Sequence, residues 1–226
     1  MGMSADERLA FRSRWEAVTH IPLIAVGGIF LLAYSLYVLV PDPAPWLTGL
    51  LVGVLALVWV VFLADYLVRL IVSPRGTRAA FVRRNAIDLL SVLLPMFRAF
   101  RLVGLLRDIP YFRARSAQSI RLEVVAFATG YAVLFVYFLA LATLDAERNA
   151  PGATITSFGD AVWWACVTLA TVGYGDTYPI TVTGRICAVV LMMGGIVIVG
   201  TTSALVISYL GERMRTLTHR GDRPES

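Results

Sequence analysis

Charge is scarce in this chain of 226 residues: Asp, Glu, Lys and Arg make up 15% of it, and lysine is absent, so all 20 basic residues are arginine. Hydrophobic residues reach 58%, and the mean hydropathy is +0.74, which excludes an ordinary soluble domain and implies a membrane protein. The two cysteines, Cys166 and Cys187, sit in apolar stretches, and the two histidines, His20 and His219, lie near the ends. Neither a disulfide framework nor a zinc site follows from so few ligands. Nucleophile, base and orienting group do not come together at a membrane surface, so an enzyme is not supported and no cofactor is expected. A pI near 9.6 raises nucleic acid as a partner, but the arginines fall between apolar runs and form no basic stripe, so topology explains them and no nucleic acid is expected. The first 20 residues carry Asp6, Glu7, Arg8, Arg12 and Arg14 without an apolar core, so no cleavable signal peptide is expected ahead of the first span.

What the chain does have is long apolar runs. A helix needs about 20 residues to cross a hydrocarbon core, and residues 21–40, 46–72, 122–144 and 181–210 each supply them. Continuous runs indicate helices and not the alternating segments of an outer-membrane barrel. Residues 85–107, NAIDLLSVLLPMFRAFRLVGLLR, are ambiguous: one span interrupted by Arg98 and Arg101, or two short helices turning near Pro95. One span would put Arg107, Arg113, Arg115 and Arg121 across the membrane from Arg75, Arg78, Arg83 and Arg84, against the positive-inside bias. Two spans gather these arginines, the amino-terminal ones and Arg213, Arg215, Arg220 and Arg223 in the cytoplasm. The outside then receives Asp42, Asp145, Glu147, Asp160 and Asp176 against Arg148 and Arg185. The expectation is six transmembrane helices in a cell membrane, with both termini cytoplasmic.

Residues 157–170, SFGDAVWWACVTLA, lie between the last two spans. Fourteen helical residues reach roughly 21 Å, too short for a core of about 30 Å. A re-entrant helix capped by Ser157 or Asp160 is expected, followed by a return through TLATVGYGDTYP, residues 168–179. Irregular backbone at membrane depth is tolerated only where protein buries it or where it lines a water-filled cavity, so this return should line a pore. Gly173 and Gly175 alternate with Val172 and Tyr174, and glycine accepts positive φ without penalty. Successive carbonyls can then point the same way. Four such segments around an axis would stack rings of carbonyl oxygens, with the Thr171 hydroxyl as a further ring, able to replace the water around a bare monovalent cation. The carboxyl end of the re-entrant helix directs partial negative charge below the rings.

On these residues, 121–211 resembles the pore unit of the six-transmembrane voltage-gated potassium channels, of the prokaryotic type with minimal cytoplasmic parts. The ring mechanism above is the established one for filters with the same TVGYG run. The resemblance implies an all-α membrane protein of six transmembrane helices plus a re-entrant pore helix and selectivity-filter loop, assembled as a homotetramer in the lipid bilayer with three identical subunits as partners. Potassium ions would bind at Thr171, Val172, Gly173, Tyr174 and Gly175. Trp163 and Trp164 would pack around Tyr174 as a cuff, with Thr168 and Asp176 supporting the filter, although membrane-interface tryptophans are also common as plain anchors. Gly195, 11 residues after Gly184, matches the position of a gating hinge; close helix packing is an equal explanation of a small residue there.

Arg98 and Arg101, three apart, then Gly104 and Arg107, resemble the arginine row of a voltage sensor with one charge missing. Such a row forms a straight stripe in a 3₁₀-helix, and charges inside the membrane are functional by default. In FLADYLVR, Phe62, Asp65 and Arg69 follow at spacings of three and four, and Asp88 lies on the third span. The resemblance makes Phe62, Asp65 and Asp88 the charge-transfer site; an ordinary i,i+4 pair of Asp65 with Arg69 is the alternative. Two arginines per subunit, moving through 100 mV in four subunits, gain roughly 18 kcal/mol at about 2.3 kcal/mol per charge, so the voltage dependence should be shallow. Pro110 ends the fourth helix, and residues 110–120 would form an interfacial linker. The resulting division is 1–20 amino-terminal segment, 21–109 sensor-like domain, 110–120 linker, 121–211 pore domain and 212–226 tail. Rival readings are a potassium channel with an inert sensor opened by ligand or lipid, and a subunit of a potassium uptake transporter.

Overall fold

The computed structural model describes residues 5–73 and 117–221. The third and fourth spans, with Asp88, Arg98, Arg101 and Arg107, and the linker up to residue 116 lie outside the described residues. Among the described residues all regular structure is α-helical: α1 (Ala5–Leu39), α2 (Pro45–Val72), α3 (Ala117–Glu147), α4 (Phe158–Leu169) and α5 (Val182–Gly221). Among the described residues, four segments are long and apolar enough to cross a membrane: Ser13–Leu39, Pro45–Val72, Val125–Glu147 and Val182–Ala204.

Helix α1 begins 16 residues before the apolar run, at Ala5, where the sequence suggests only a terminal segment. The Ser13 and Thr19 hydroxyls donate to Ala10 O and Trp15 O, both at 2.9 Å, so polar residues are satisfied within the helix. Pro22 lies inside α1; its missing amide interrupts one bond without ending the helix, as membrane helices tolerate. The PDPAP stretch ends α1, Asp42 takes a positive φ of 47° in the turn, and Pro45 opens α2 at a position where no amide is needed. Helix α3 takes in residues 117–120 and α5 runs on to Gly221, so both helices continue past the boundaries drawn from hydropathy.

The chain forms two compact units, Met1–Leu141 and Ala142–Ser226. In the first, α1 packs along α2, burying Leu23, Ile24, Leu51, Val58, Phe62 and Tyr66. Phe138 of α3 stacks on Phe30 and Tyr34 of α1, with ring centroids 5.8 and 5.1 Å apart. Beside this stack, the Ser35 and Tyr137 hydroxyls share a hydrogen bond of 2.7 Å. In the second unit α4 lies against α5, with Ala161, Trp164, Ala165 and Leu191 buried. Large apolar side chains stay outside on every long helix, among them Ile21 at 72% exposure, Trp46 at 71% and Ile196 at 70%. A surface of that kind suits lipid or further copies of the chain, not water.

Candidate ion-conducting site

Helix α4 has 12 residues and starts at the expected cap. Ser157 Oγ accepts from Asp160 N at 3.2 Å, and Asp160 Oδ2 accepts from Ser157 N at 2.9 Å, a reciprocal capping box. The hydrogen bonds with Ser157, side chain first and then backbone, and weaker ones from Thr156 hold the Asp160 carboxyl below its ordinary value near 3.8, against a small opposing effect of burial.

At the other end of α4 the backbone winds back onto the last turn. Thr171 N donates to Thr168 O at 3.0 Å, and Val167 O accepts from Val172 N at 3.0 Å and Gly173 N at 3.4 Å. Three alternate residues then have positive φ: Thr171 at 58°, Gly173 at 59° and Gly175 at 77°. Alternation of this kind is what allows consecutive carbonyls to face one side instead of opposing sides. Among the described residues no group donates to the carbonyls of 171–175, and the segment is exposed in the single chain. The glycines account for two of the three positions; Thr171 is the one missed. A β-branched residue at φ 58° is strained by about 1–2 kcal/mol, and the hydrogen bonds onto Thr168 O and Val167 O hold it there.

Side chains brace this backbone from one side. The Trp163 ring stacks on Tyr174 at 5.7 Å and 3° between planes, and its Nε1 donates to Asp176 Oδ2 at 2.8 Å. Thr177 N donates to Asp176 Oδ1 at 2.9 Å, so both carboxylate oxygens are engaged. Trp164 is buried at 4% exposure, and Trp163 is the one of the pair with a recorded ring contact to Tyr174 within this chain. Further out, the Thr154 hydroxyl donates to Tyr178 O at 3.0 Å and accepts from Tyr178 N at 2.9 Å.

Sequence reasoning placed Glu147 among the outer charges; in the structure it is fully buried. Its carboxylate accepts from Ile180 N at 2.9 Å, Thr181 N at 2.8 Å and Thr181 Oγ1 at 2.7 Å. Thr181 Oγ1 in turn accepts from Gly184 N at 2.9 Å, capping α5. Gly184 has to be small: a Cβ there would overlap the Glu147 carboxylate and come within 2.8 Å of Pro179 Cβ. The end of α3 is thereby pinned to the chain returning from residues 171–176. An acid at the last turn of a span, followed 34 residues later by a threonine at a helix start, is the faint trace of this clamp in the sequence. Gly195 is buried, and a Cβ on it would sit 3.3 Å from Leu169 Cδ1 and 3.5 Å from Leu169 O. The close approach of α5 to the end of α4 gives Gly195 a packing reason, and α5 passes through it unbroken.

In the first unit Phe62 and Asp65 are buried, at 2% and 5% exposure, on one face of α2. Arg69, at 8%, pairs through Nη2 with Asp65 Oδ2, and its Nε donates to Asp65 O at 3.4 Å. The i,i+4 pair weighed from the sequence is therefore present. An unforeseen partner completes the carboxylate: Trp15 Nε1 donates to Asp65 Oδ1 at 3.1 Å.

Residues 121–212 match the family described as ion channel. Over 202 residues the chain is 31% identical to a cyclic nucleotide-gated potassium channel of Mesorhizobium japonicum, covering 81% of this chain and 54% of the relative. It is 40% identical over 78 residues to a voltage-gated potassium channel of Aeropyrum pernix, covering 33% of this chain and 26% of that one. It is 27% identical over 172 residues to the potassium voltage-gated channel protein Shal of Drosophila melanogaster, covering 66% and 30%. The chain spans about half the length of the first of these. These relatives are channels, not enzymes. Residues 121–212 therefore carry an ion-channel domain, and the relatives that share it are bacterial, archaeal and eukaryotic potassium channels.

Proposed function

We propose that the chain is one subunit of a homotetrameric potassium-selective channel, conducting through the carbonyls of Thr171, Val172, Gly173, Tyr174 and Gly175. The observation that carries this reading is positive φ at residues 171, 173 and 175 beside carbonyls that accept no hydrogen bond among the described residues. Oxygens that such a backbone can align, with no donor to them among the described residues, can substitute for the hydration of a cation. Each chain has one such segment, so a closed ring takes several copies, and cyclic symmetry is the economical arrangement. Trp163 and Asp176 brace the segment, with Trp164 and Thr168 behind it; the cuff role of Trp164 would be met by a neighbouring subunit. The unit sits in a cell membrane with both termini cytoplasmic. Single-channel recording separates the reading from a transporter subunit: millions of ions per second exceed any carrier.

Voltage gating is the reading of the first four helices, with Arg98, Arg101 and Arg107 as moving charges, Phe62, Asp65 and Asp88 as the transfer site and Gly195 as hinge. It is supported by the buried Phe62 and Asp65 and by relatives named as voltage-gated. A second reading, opening by ligand or lipid with an inert sensor, is favoured by the cyclic nucleotide-gated relative that matches 81% of the chain. Conductance against voltage, in bilayers holding only this protein, decides between them. A shallow sigmoid supports voltage gating; a flat open probability supports the second reading.

A further inference from the structure

Asp65 is a buried carboxylate within a helix long and apolar enough to span a membrane, and such a group is costly unless both oxygens are engaged. Arg69 occupies Oδ2 from the same helix, one turn on. The other oxygen is held from a different helix, by the Trp15 indole N–H at 3.1 Å, across 50 residues of sequence. Trp15 lies in the part of α1 that precedes the uncharged run, one helical turn after Phe11, and the two rings stack with centroids 6.1 Å apart. Trp15 is half-buried while Phe11 is 44% exposed. An indole has one donor and no acceptor, so its orientation here has a single polar purpose, the Asp65 oxygen.

We infer that Trp15 is a positioning residue for Asp65, and that the amino-terminal turns of α1 regulate how readily that acid exchanges arginine partners. The inference rests on the reading of Asp65 as part of the charge-transfer site. With Arg69 fixed on Oδ2, Oδ1 is the oxygen open to a second cation, and Trp15 competes for it. A neutral N–H stabilises the carboxylate without neutralising it, so the acid stays attractive to an incoming guanidinium while being held at a fixed place and angle. Removing the indole N–H frees that oxygen and favours whichever gating state brings an arginine to it.

The test is a double-mutant cycle on potassium currents from the full-length protein in planar bilayers: native, Trp15→Phe, Asp65→Asn, and both together. A hydrogen bond to a charged group corresponds to roughly a tenfold change in an equilibrium constant. Trp15→Phe is therefore expected to change the ratio of open to closed probability at fixed voltage by about tenfold. In the Asp65→Asn background the same substitution should change it by less than about twofold, because the charged acceptor has gone. Trp15→His keeps a ring N–H and should return the ratio most of the way to native; if Trp15→Phe does not assemble, the cycle is built on Trp15→Leu, which also removes the donor and carries the same two expectations. Equal effects of the Trp15 substitution in the native and the Asp65→Asn backgrounds would overturn the inference, as would an unchanged ratio in Trp15→Phe. The ratio is read at one voltage, so a native channel with flat voltage dependence would remove the voltage-gating reading while the cycle still tests whether Trp15 acts through Asp65.

Discussion

Truncating Glu147 to alanine perturbs a single buried group and leaves three identifiable donors without an acceptor: Ile180 N, Thr181 N and Thr181 Oγ1. A buried donor left unpaired costs roughly 1–3 kcal/mol, which brackets the loss at about 3–9 kcal/mol. Water entering the space of the missing carboxylate relieves part of this, so the expected loss is near the lower end, about 3–4 kcal/mol. Glu147→Gln keeps one oxygen but turns an NH₂ toward a donor, and should fall between native and Glu147→Ala. Gly184→Ala attacks the same clamp from the opposite side, because its Cβ would overlap the carboxylate. In Glu147→Ala/Gly184→Ala the new methyl enters vacated space, so the double variant should lose clearly less than the sum of the two single losses; the residual contact with Pro179 Cβ, at 2.8 Å, keeps relief incomplete. Denaturant titration of the purified protein in mild detergent, followed by tryptophan fluorescence and by size exclusion, measures all four variants. A Glu147→Ala protein within about 1 kcal/mol of native, or single losses that simply add, would refute the reasoning.

Trp163→Phe retains a ring to stack on Tyr174 and removes the N–H that reaches Asp176, so it isolates the 2.8 Å hydrogen bond. Potassium current per reconstituted channel should fall and become less stable in time, and Asp176→Asn added to it should make little further difference; additive losses would mean the two residues act separately. Ser157→Ala removes one half of the capping box on α4 and should lower stability by about 1 kcal/mol in the same denaturant titration. The Asp160 carboxyl is held below its ordinary value near 3.8, so the stability it contributes is present above that value and is lost as pH falls through the lower, folded one. Acid titration of Asp160→Asn should accordingly show a smaller loss on going below about pH 4 than native protein, and identical acid profiles would contradict the assignment.

How much of this was readable in the sequence depends on how local the cause is. Helix α4 and its cap followed from a short apolar run behind Ser157 and Asp160, because capping involves groups three residues apart. The kinked return after it was legible from Gly173 and Gly175, whose freedom at positive φ belongs to the residue itself; the third position, Thr171, depends on carbonyls of Thr168 and Val167 that no residue type announces. Hydropathy found the long helices yet misplaced their ends. A helix continues until something stops it, and neither charge at residues 5–20 nor polarity near residue 117 breaks one. Glu147 and Trp15 were invisible for another reason. Their partners are 33 to 34 and 50 residues away, and only packing brings them together. The Asp65–Arg69 pair, at i,i+4, could be read from spacing alone.

The central claim, that main-chain oxygens of residues 171–175 replace the water around potassium, is tested most directly by bi-ionic reversal potentials of the purified, reconstituted protein with potassium on one side and sodium on the other. Each tenfold preference displaces the reversal potential by about 59 mV, so a hundredfold preference for potassium gives about 120 mV. The account predicts a displacement of at least that size for native protein. It predicts collapse toward zero for Gly173→Ala, since a side chain at φ 59° is strained although its Cβ would meet nothing within 4 Å. A native reversal potential near zero, or a Gly173→Ala channel that discriminates as well as native, would contradict it.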